Sequence, residues 1–281
     1  MNLSDTLVLL RGGGDMATGA AHRLHAAGLP LLITELAQPL AVRRAVSFAE
    51  AVYAEAVTVE GVTARLAPDP MIGMAYTVVN EIPVVVDEDD TVLGRMRPPI
   101  VVDARMAKTN LGTQITDAPL VIGLGPGFTA GEDCHAVVET DRGHNLGRVY
   151  WEGSAEPDTG EPEPVRGFAG SRVLRAPGEG VFMGRFEIGE LVKKGQVVGE
   201  VEGKLIKAKF DGVLRGILHD GVRVTAGMKV GDLDPRGVRG YCFSISDKAR
   251  AVGGGVLEAI LAGMRLWMPE LPPEERDRGL P

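Results

Sequence analysis

The feature that most constrains the fold is a strand, a glycine-rich turn and a helix near the N-terminus. Residues 6–10 (TLVLL) form a continuous apolar run, which is typical of a strand buried on both faces of a parallel sheet. The turn that follows, residues 11–19, reads RGGGDMATG. Apolar positions then recur at three- and four-residue spacing up to Ala27, and Gly28 and Pro30 end the predicted helix. This order predicts an α/β fold.

Several further apolar runs extend the prediction to a whole sheet. Residues 31–34 (LLIT) complete a βαβ unit whose crossover should be right-handed. Buried strands are also predicted at residues 84–86, 100–102 and 120–122. We therefore expect a Rossmann-like parallel sheet domain over residues 1–165, with ligands bound at the carboxyl ends of its strands.

A second region differs in character and follows an acidic, Pro- and Gly-rich stretch at residues 152–165, which we interpret as a linker or extended crossover. Residues 189–195 (GELVKKG) and 221–227 (GVRVTAG) share the pattern G-x-x-V-x-x-G, each followed by a short apolar strand. Such repeated β-hairpins resemble the biotinyl and lipoyl carrier fold. We predict an inserted all-β barrel-sandwich hybrid module over residues 166–235.

Lys204 is the residue of this module that a carrier function would need to use. It lacks the flanking methionines of a carrier lysine and lies closer to Gly212 than such a lysine would. We therefore predict that Lys204 carries no lipoyl or biotinyl group, and that the module is structural or serves docking.

The C-terminal segment, residues 236–281, is predicted to return to the first domain. Residues 241–245 are expected to form a strand, and three glycines then precede a helix at residues 256–267. That helix has an apolar stripe too wide to leave in water. We expect the segment to extend the sheet and to bring Asp247, Lys248 and Arg250 near the first glycine turn.

Length, charge and cysteine content limit the function classes. A chain of 281 residues is long enough for about two domains. Its net charge of −8 argues against a nucleic-acid partner. Cys134 and Cys242 cannot build a disulfide framework, and no signal peptide or membrane span is recognised, so we expect a cytoplasmic protein without a membrane partner. The sequence does not decide between a monomer and a homo-oligomer.

The first glycine turn carries the strongest candidate binding residues. Gly12, Gly14 and Ala17 satisfy G-x-G-x-x-A in the right context, so the turn could let a pyrophosphate approach the backbone at the helix N-terminus. Glu35 ends the second strand, where an acidic residue would grip a ribose hydroxyl. Asp15 would cap the helix yet repel a diphosphate. The alternative is a tight turn without a ligand.

Candidate contacts also lie on other predicted loops at the ligand edge. Arg43 and Arg44 could clamp a phosphate or carboxylate, although a solvated face is an equal alternative. Residues 122–131 (IGLGPGFTAG) could form a second anion cradle. This cradle would use Gly125, Gly127 and Thr129.

A short segment of cysteine and histidine residues follows that loop. Cys134 and His135 are adjacent and, on a strand, point to opposite faces, which favours structural roles. His144 is the more suitable ligand contact. The sequence has neither H-E-x-x-H nor C-x-x-C, and we predict no metal site.

Five motifs together resemble the YqeB family of selenium-dependent molybdenum hydroxylase systems, which looks related to the XdhC-type accessory proteins. They span nearly the whole chain: RGGGDMATG (11–19), PLAVRR (39–44), GLGPGFTAG (123–131), ETDRGH (139–144) and SDKARAVGGG (246–255). The resemblance implies a role in maturation of a molybdenum hydroxylase, with the hydroxylase apoenzyme as partner. It establishes no catalytic residue.

Our preferred hypothesis is an accessory protein that binds molybdenum cofactor or an NAD-like nucleotide at the strand ends. The contacts would come from Gly12, Gly14, Gly19, Arg43, Arg44 and the loop of residues 123–131, with Glu35 holding a hydroxyl or amine. An NAD-dependent oxidoreductase is the main alternative, but the sequence offers no convincing proton-transfer set for hydride chemistry. The third hypothesis is a scaffold for partner assembly that binds no ligand.

Overall fold

The computed structural model describes residues 2–158, 160 and 165–267, and its N-terminal part is built around one large sheet. The part of the predicted linker at residues 159 and 161–164 lies outside the described residues. Four helices and eleven strands occupy this region: β1 (Val8–Arg11), α1 (Asp15–Ala26), β2 (Leu31–Glu35), α2 (Ala51–Ala54), β3 (Ala56–Val59), β4 (Val62–Leu66), α3 (Pro70–Val78), β5 (Ile82–Val86), α4 (Thr91–Met96), β6 (Ile100–Asp103), β7 (Leu120–Leu124), β8 (Thr129–Ala130), β9 (Ala136–Val138), β10 (Val149–Tyr150) and β11 (Gly153–Ser154).

The remaining described residues form a β-rich segment and a long helix. Their elements are β12 (Val173–Arg175), β13 (Gly180–Gly184), β14 (Leu191–Val192), β15 (Val197–Val201), β16 (Lys204–Lys207), β17 (Gly212–Ile217), β18 (Arg223–Val224), β19 (Lys229–Asp234) and α5 (Asp247–Trp267). No helix within the described residues combines the length and the apolar character that a membrane span requires.

The large sheet has nine strands in the order β10-β9-β7-β6-β1-β2-β5-β4-β3, and it is mixed. All neighbouring strands from β9 to β4 in this order pair in parallel. The two outermost pairs, β3 with β4 and β9 with β10, are antiparallel. The hairpin between β3 and β4 turns on Glu60 and Gly61, with φ of 46° and 85°. Two consecutive positive φ angles give a tight reversal, so only antiparallel neighbours can be joined this way.

The predicted fold class is wrong on both of its parts. A Rossmann-like parallel sheet does not describe a nine-stranded mixed sheet with antiparallel pairs at its two ends. A biotinyl-like barrel-sandwich module does not specifically describe residues 173–234 either, because these form two four-stranded antiparallel sheets, β12-β19-β17-β14 and β16-β15-β13-β18. Apolar runs indicate where strands lie but not their partners or directions, which is why the class was missed.

Individual elements of the sheet were predicted more accurately than its class. The apolar runs at residues 31–34, 84–86, 100–102 and 120–122 lie within or largely within β2, β5, β6 and β7. Their side chains are almost completely buried, as expected for strands covered on both faces, except that of Val86 at the end of β5, which is 39% exposed. The division into segments 1–165, 166–235 and 236–281 stays a prediction.

The C-terminal segment differs from its prediction in two respects. Residues 241–245 form no strand, because Arg239–Cys242 is a 3-10 helix and the buried Cys242 Sγ lies 3.8 Å from the Leu214 carbonyl oxygen. Helix α5 begins at Asp247 rather than at residue 256, and it covers the sheet instead of extending it. Val252 and Ile260 are completely buried in the core that also contains strand β1.

The glycines at residues 253–255 predicted a turn but lie inside α5, where they allow close packing. A Cβ on Gly253 would lie 2.5 Å from the carbonyl oxygen of Gly19 in α1. A Cβ on Gly255 would collide with the Gly147 carbonyl oxygen. Small residues at these positions let two helices and a loop approach at backbone distance, so the glycine run serves helix packing.

Candidate functional site

The first glycine turn lies at the carboxyl end of β1, and its three glycines have different surroundings. Gly12 has a φ of +91°, and a Cβ there would lie 3.1 Å from the Arg105 backbone. A Cβ on Gly13 would lie 2.8 Å from the Ala49 nitrogen. Gly14 differs, because a Cβ there would meet nothing within 4 Å. Gly12 and Gly13 are thus explained by packing, whereas Gly14 borders open space.

Gly14 is also the N-cap of α1, and this leaves donors at the helix start. It provides no side-chain cap, and the first backbone bond of the helix runs from the Thr18 N–H to the Gly14 carbonyl oxygen at 2.8 Å. The N–H groups of residues 15–17 precede this bond and have no partner within the helix. Together with the helix dipole they favour an anion beside Gly14.

Gly19 does not lie at this edge. It is one turn further along α1, and a Cβ there would collide with the Ala249 carbonyl oxygen of α5. Its role is therefore helix packing, the counterpart of Gly253 on the facing helix. A glycine pattern in the sequence does not distinguish a residue that faces a ligand from one that faces a helix.

Glu35 holds the glycine turn from the neighbouring strand. Its Oε2 accepts a hydrogen bond from the Gly13 N–H at 2.8 Å, and its Oε1 accepts one from the Leu36 N–H at 2.8 Å. Burial raises the pKa of this carboxyl, and the two backbone bonds oppose the increase. Because both oxygens already accept backbone protons, Glu35 positions the turn.

Asp15 and Arg43 form a partly buried ion pair at the start of α1. The Arg43 Nη1 lies 3.2 Å from Asp15 Oδ2. Its Nη2 donates to the carbonyl oxygens of Tyr241 and Ser244, each at 3.2 Å. Arg43 is only 7% exposed, and its Nε has no hydrogen-bond partner among the described residues. The pair offsets the negative charge that Asp15 would present to a phosphate.

Two further cations complete this cluster, and of these only Lys248 was predicted to lie near the glycine turn. Lys248 lies on the first turn of α5, where burial lowers its pKa and the charge of Asp15 raises it. Arg215 of β17 is 9% exposed and lies within electrostatic range of both Arg43 and Asp15. The signal for Arg215 was one charged residue within the otherwise apolar strand GVLRGI.

Asp247 and Arg250, which were also expected near the first glycine turn, form separate ion pairs. Asp247 forms a double hydrogen bond with Arg142, with N–O distances of 2.6 and 2.5 Å, which holds the pKa of the Asp247 carboxyl well below its usual range. Arg250 binds Glu60 at 2.6 Å. We therefore assign Lys248, rather than Asp247 or Arg250, to the cluster beside the glycine turn.

Arg44 points away from Arg43 and into a cavity of about 490 Å³. Its Nε donates to the Ile217 carbonyl oxygen at 3.1 Å, and its Nη2 lies 3.6 Å from Glu187. His219 lines the same cavity and pairs with Glu50 at 2.8 Å. The two adjacent arginines therefore do not clamp one ligand group.

Close packing accounts for the second glycine loop. A Cβ on Gly125 would collide with Thr140 Oγ1, and a Cβ on Gly127 would lie 2.8 Å from the Thr109 backbone. The Thr129 N–H donates to Asp133 Oδ2 at 2.8 Å. A loop that meets its neighbours at these distances uses its glycines to fit against the protein itself.

The remaining candidates are two histidines and a cysteine with different surroundings. His144 is exposed. Cys134 is buried, which raises the pKa of its thiol to about 12, and His135 Nδ1 accepts the Val121 N–H at 3.0 Å. The described residues contain no group of three His, Cys, Asp or Glu side chains arranged to hold a metal ion.

Comparison with known proteins gives one close relative. No protein-family model matches the sequence. The chain is 49% identical over 255 residues to the Uncharacterized protein YqeB of Escherichia coli (strain K12), and the match covers 91% of this chain and 47% of that protein. The chain thus spans about half the length of the curated relative it matches.

Two solved structures are distantly similar. One is an aspartoacylase family protein from Mesorhizobium loti, with 14% identity, a TM-score of 0.25 and coverage of 81% of this chain and 84% of that chain. The other is a succinylglutamate desuccinylase/aspartoacylase from Rhodobacter sphaeroides, with 15% identity, a TM-score of 0.25 and the same coverage. TM-scores this low carry no argument about the activity of this chain.

Proposed function

The chain belongs to the YqeB family, and from this premise we propose an accessory protein that binds a phosphate-bearing ligand during maturation of a selenium-dependent molybdenum hydroxylase. The ligand is the molybdenum cofactor or a nucleotide-like molecule, and the partner is the hydroxylase apoenzyme in the cytoplasm. The maturation role, and with it the kinship to XdhC-type proteins, rests on the resemblance carried by motifs such as residues 11–19 and 246–255.

The open space at Gly14 is the observation that carries the binding role. A ligand phosphate can approach the backbone there, because no side chain or neighbouring backbone occupies the position of a Cβ. The unpaired N–H groups at the start of α1 supply donors, and Arg43 offsets the charge of Asp15. These features suit the phosphate end of a cofactor.

Orphaned donors at the same edge support this fit. The buried Nε atoms of Arg43 and Arg215 have no hydrogen-bond partner among the described residues. A buried guanidinium donor without an acceptor is costly, and an anionic ligand would supply the acceptor. When bound, the cofactor would supply the redox chemistry of the hydroxylase, and this chain would bind and orient its phosphate.

The geometry of Glu35 disfavours the NAD-dependent oxidoreductase. That interpretation needs the carboxylate to grip a ribose hydroxyl, but both of its oxygens accept backbone N–H groups of the turn and its own strand end. Loss of the bond to the Gly13 N–H would release the turn from the second strand. The ligand-free scaffold leaves the open edge at Gly14 and the orphaned arginine donors without a role.

Isothermal titration calorimetry with molybdopterin and with NAD tests the binding role. Gly14→Val should abolish ligand binding, because the side chain would fill the open edge while leaving the fold intact. Gly94→Val is the matched control, since Gly94 also has open space around it and lies on a different helix, α4. Equal affinity of the Gly14→Val variant and the natural chain would refute the binding role. Tight NAD binding with turnover would favour the oxidoreductase.

A cellular experiment tests the maturation role separately. Cells that lack the protein should accumulate hydroxylase with a reduced molybdenum cofactor content, measured on the purified hydroxylase. Re-expression of the natural chain or of Gly94→Val should restore that content, and Gly14→Val should not. Full cofactor loading of the hydroxylase in cells without the protein would exclude maturation, whatever the chain binds in vitro.

A further inference from the structure

Arg215 is a buried cation without a well-formed partner. Its Nε has no hydrogen-bond partner among the described residues, although the side chain lies in the protein interior. The carboxylate oxygens that face it, on Asp232 and Asp234, are 3.8 and 4.0 Å away, which is beyond hydrogen-bonding distance. Asp234 instead binds Arg236, with its shortest N–O distance at 2.6 Å. The positive charge of Arg215 is therefore incompletely compensated.

A second buried arginine lies beside it across the contact between β17 and the N-terminal part. A Cβ on Gly216 would lie 2.7 Å from the Val42 carbonyl oxygen, so the backbones that carry Arg215 and Arg43 approach closely. Burial lowers the pKa of Arg215 and the positive charge of Arg43 lowers it further, whereas the charges of Asp232, Asp234 and Asp15 raise it. Two guanidinium groups that repel each other in the interior would be stabilised by an anion between them.

The charges around this point are of both signs, and most of the carboxylates are paired with cations other than Arg215. Arg43, Arg215 and Lys248 are the cations, and Asp15, already paired with Arg43 at 3.2 Å, is the carboxylate of α1 that faces them. Asp232 is shared between Arg215 at 3.8 Å and Arg172 at 3.6 Å. The carboxylates present thus leave room for a further negative charge.

We propose that Arg43 and Arg215 together bind a tetrahedral oxyanion, the phosphate group of the ligand, beside Gly14 and the N-terminus of α1. Planar guanidinium groups bind phosphate oxygens in pairs, and their orphaned Nε atoms are the donors that such an anion would use. The inference rests on the proposed function and adds that the β-rich segment supplies part of the binding site. Ligand binding then holds β17 against the N-terminal part.

The test compares Arg215→Met with Arg223→Met in the full chain. Arg223 is an exposed arginine of the same segment, with its Nη1 3.9 Å from Glu179, so its substitution is a matched control. Urea unfolding is measured in phosphate-free buffer, with inorganic phosphate and with the phosphate monoester glycerol 3-phosphate. Sodium chloride at the same ionic strength corrects for screening.

Phosphate should raise the unfolding midpoint of the natural chain and of Arg223→Met, because it binds the folded state. Arg215→Met should lose this increase, with phosphate bound at least about tenfold more weakly in calorimetry. The midpoint of each variant without phosphate serves as its own reference, because Arg215 also faces the buried Asp232 and Asp234 and its removal changes the stability of the fold itself. If only glycerol 3-phosphate raises the midpoint, the site binds phosphate monoesters. If both compounds raise it, the site binds tetrahedral oxyanions in general.

A retained phosphate response in Arg215→Met, or no response in the natural chain, would overturn the inference. If Arg215→Met does not fold, Arg215→Lys keeps the charge without the planar fork and should still bind phosphate more weakly than the natural chain. Phosphate affinity equal to that of the natural chain in this variant would also refute the inference. Should Gly14→Val lose molybdopterin while Arg215→Met keeps its phosphate response, the inference fails and the proposed function stands.

Discussion

Two adjacent glycines on α5 allow a sharp test of how this helix packs. A Cβ on Gly253 would lie 2.5 Å from the Gly19 carbonyl oxygen and 3.1 Å from the Ala20 Cα, both backbone atoms of α1. A Cβ on Gly254 would meet nothing within 4 Å. Both positions are within the same helix, so Gly253→Ala and Gly254→Ala change helix propensity equally and differ in the space around the new methyl group.

The expected magnitudes follow from these surroundings. Replacing glycine by alanine inside a helix stabilises it by about 1 kcal/mol, which both variants gain. Gly254→Ala should show this gain. In Gly253→Ala the methyl group must push two backbones apart, and overpacking of this kind costs about 1–3 kcal/mol or more. The two variants should therefore differ in free energy of unfolding by about 1–3 kcal/mol, with Gly253→Ala less stable.

Urea unfolding followed by circular dichroism measures the difference. The slope of free energy against urea should be the same for both variants, so the midpoints report stability directly. Equal stabilisation by the two substitutions would refute the reasoning, since α1 and α5 could then not approach as closely as the structure shows.

Three further predictions concern the C-terminal segment, the cysteines and the β-rich segment. Truncation after Asp234 should lower the unfolding midpoint of the N-terminal part, because it removes α5 and exposes core side chains at about 1.5–3 kcal/mol each; an unchanged midpoint would show that α5 is an independent appendage. Cys134 and Cys242 should not react with a thiol reagent at pH 8 until urea is added, because burial raises both thiol pKa values; rapid native labelling would contradict this. Lys204 should carry no added mass after expression in a host competent for lipoylation and biotinylation, and a lipoyl or biotinyl mass on it would overturn the prediction.

The sequence predicts single elements of this fold better than their arrangement. Strand β1 and helix α1 follow from an apolar run and a helical period, which are local properties of the chain. The antiparallel edges were missed because strand direction depends on connections such as the tight turn at Glu60 and Gly61. The glycines of α5 were predicted to form a turn. Glycine is needed there because the backbone of α1 packs against it, and α1 is far away in the sequence.

The candidate site shows the same limit. Gly14 and Arg43 were predicted from the glycine turn and the paired arginines, and the structure places both at the start of α1. Gly19 and Gly127 belong to the same motifs but face protein backbone, which no local pattern reveals. Arg215 could not be placed at all, because its burial depends on how β17 packs against the N-terminal part.

We expect this chain to hold a phosphate-bearing small molecule at the edge beside Gly14. Mass spectrometry of the natively purified protein measures this most directly, with the ligand released by denaturation and identified by its mass and phosphorus content. We predict one phosphate-bearing ligand retained by the natural chain and by Gly94→Val, and none retained by Gly14→Val. A natural chain purified without any ligand, or a ligand retained equally by Gly14→Val, would contradict the claim.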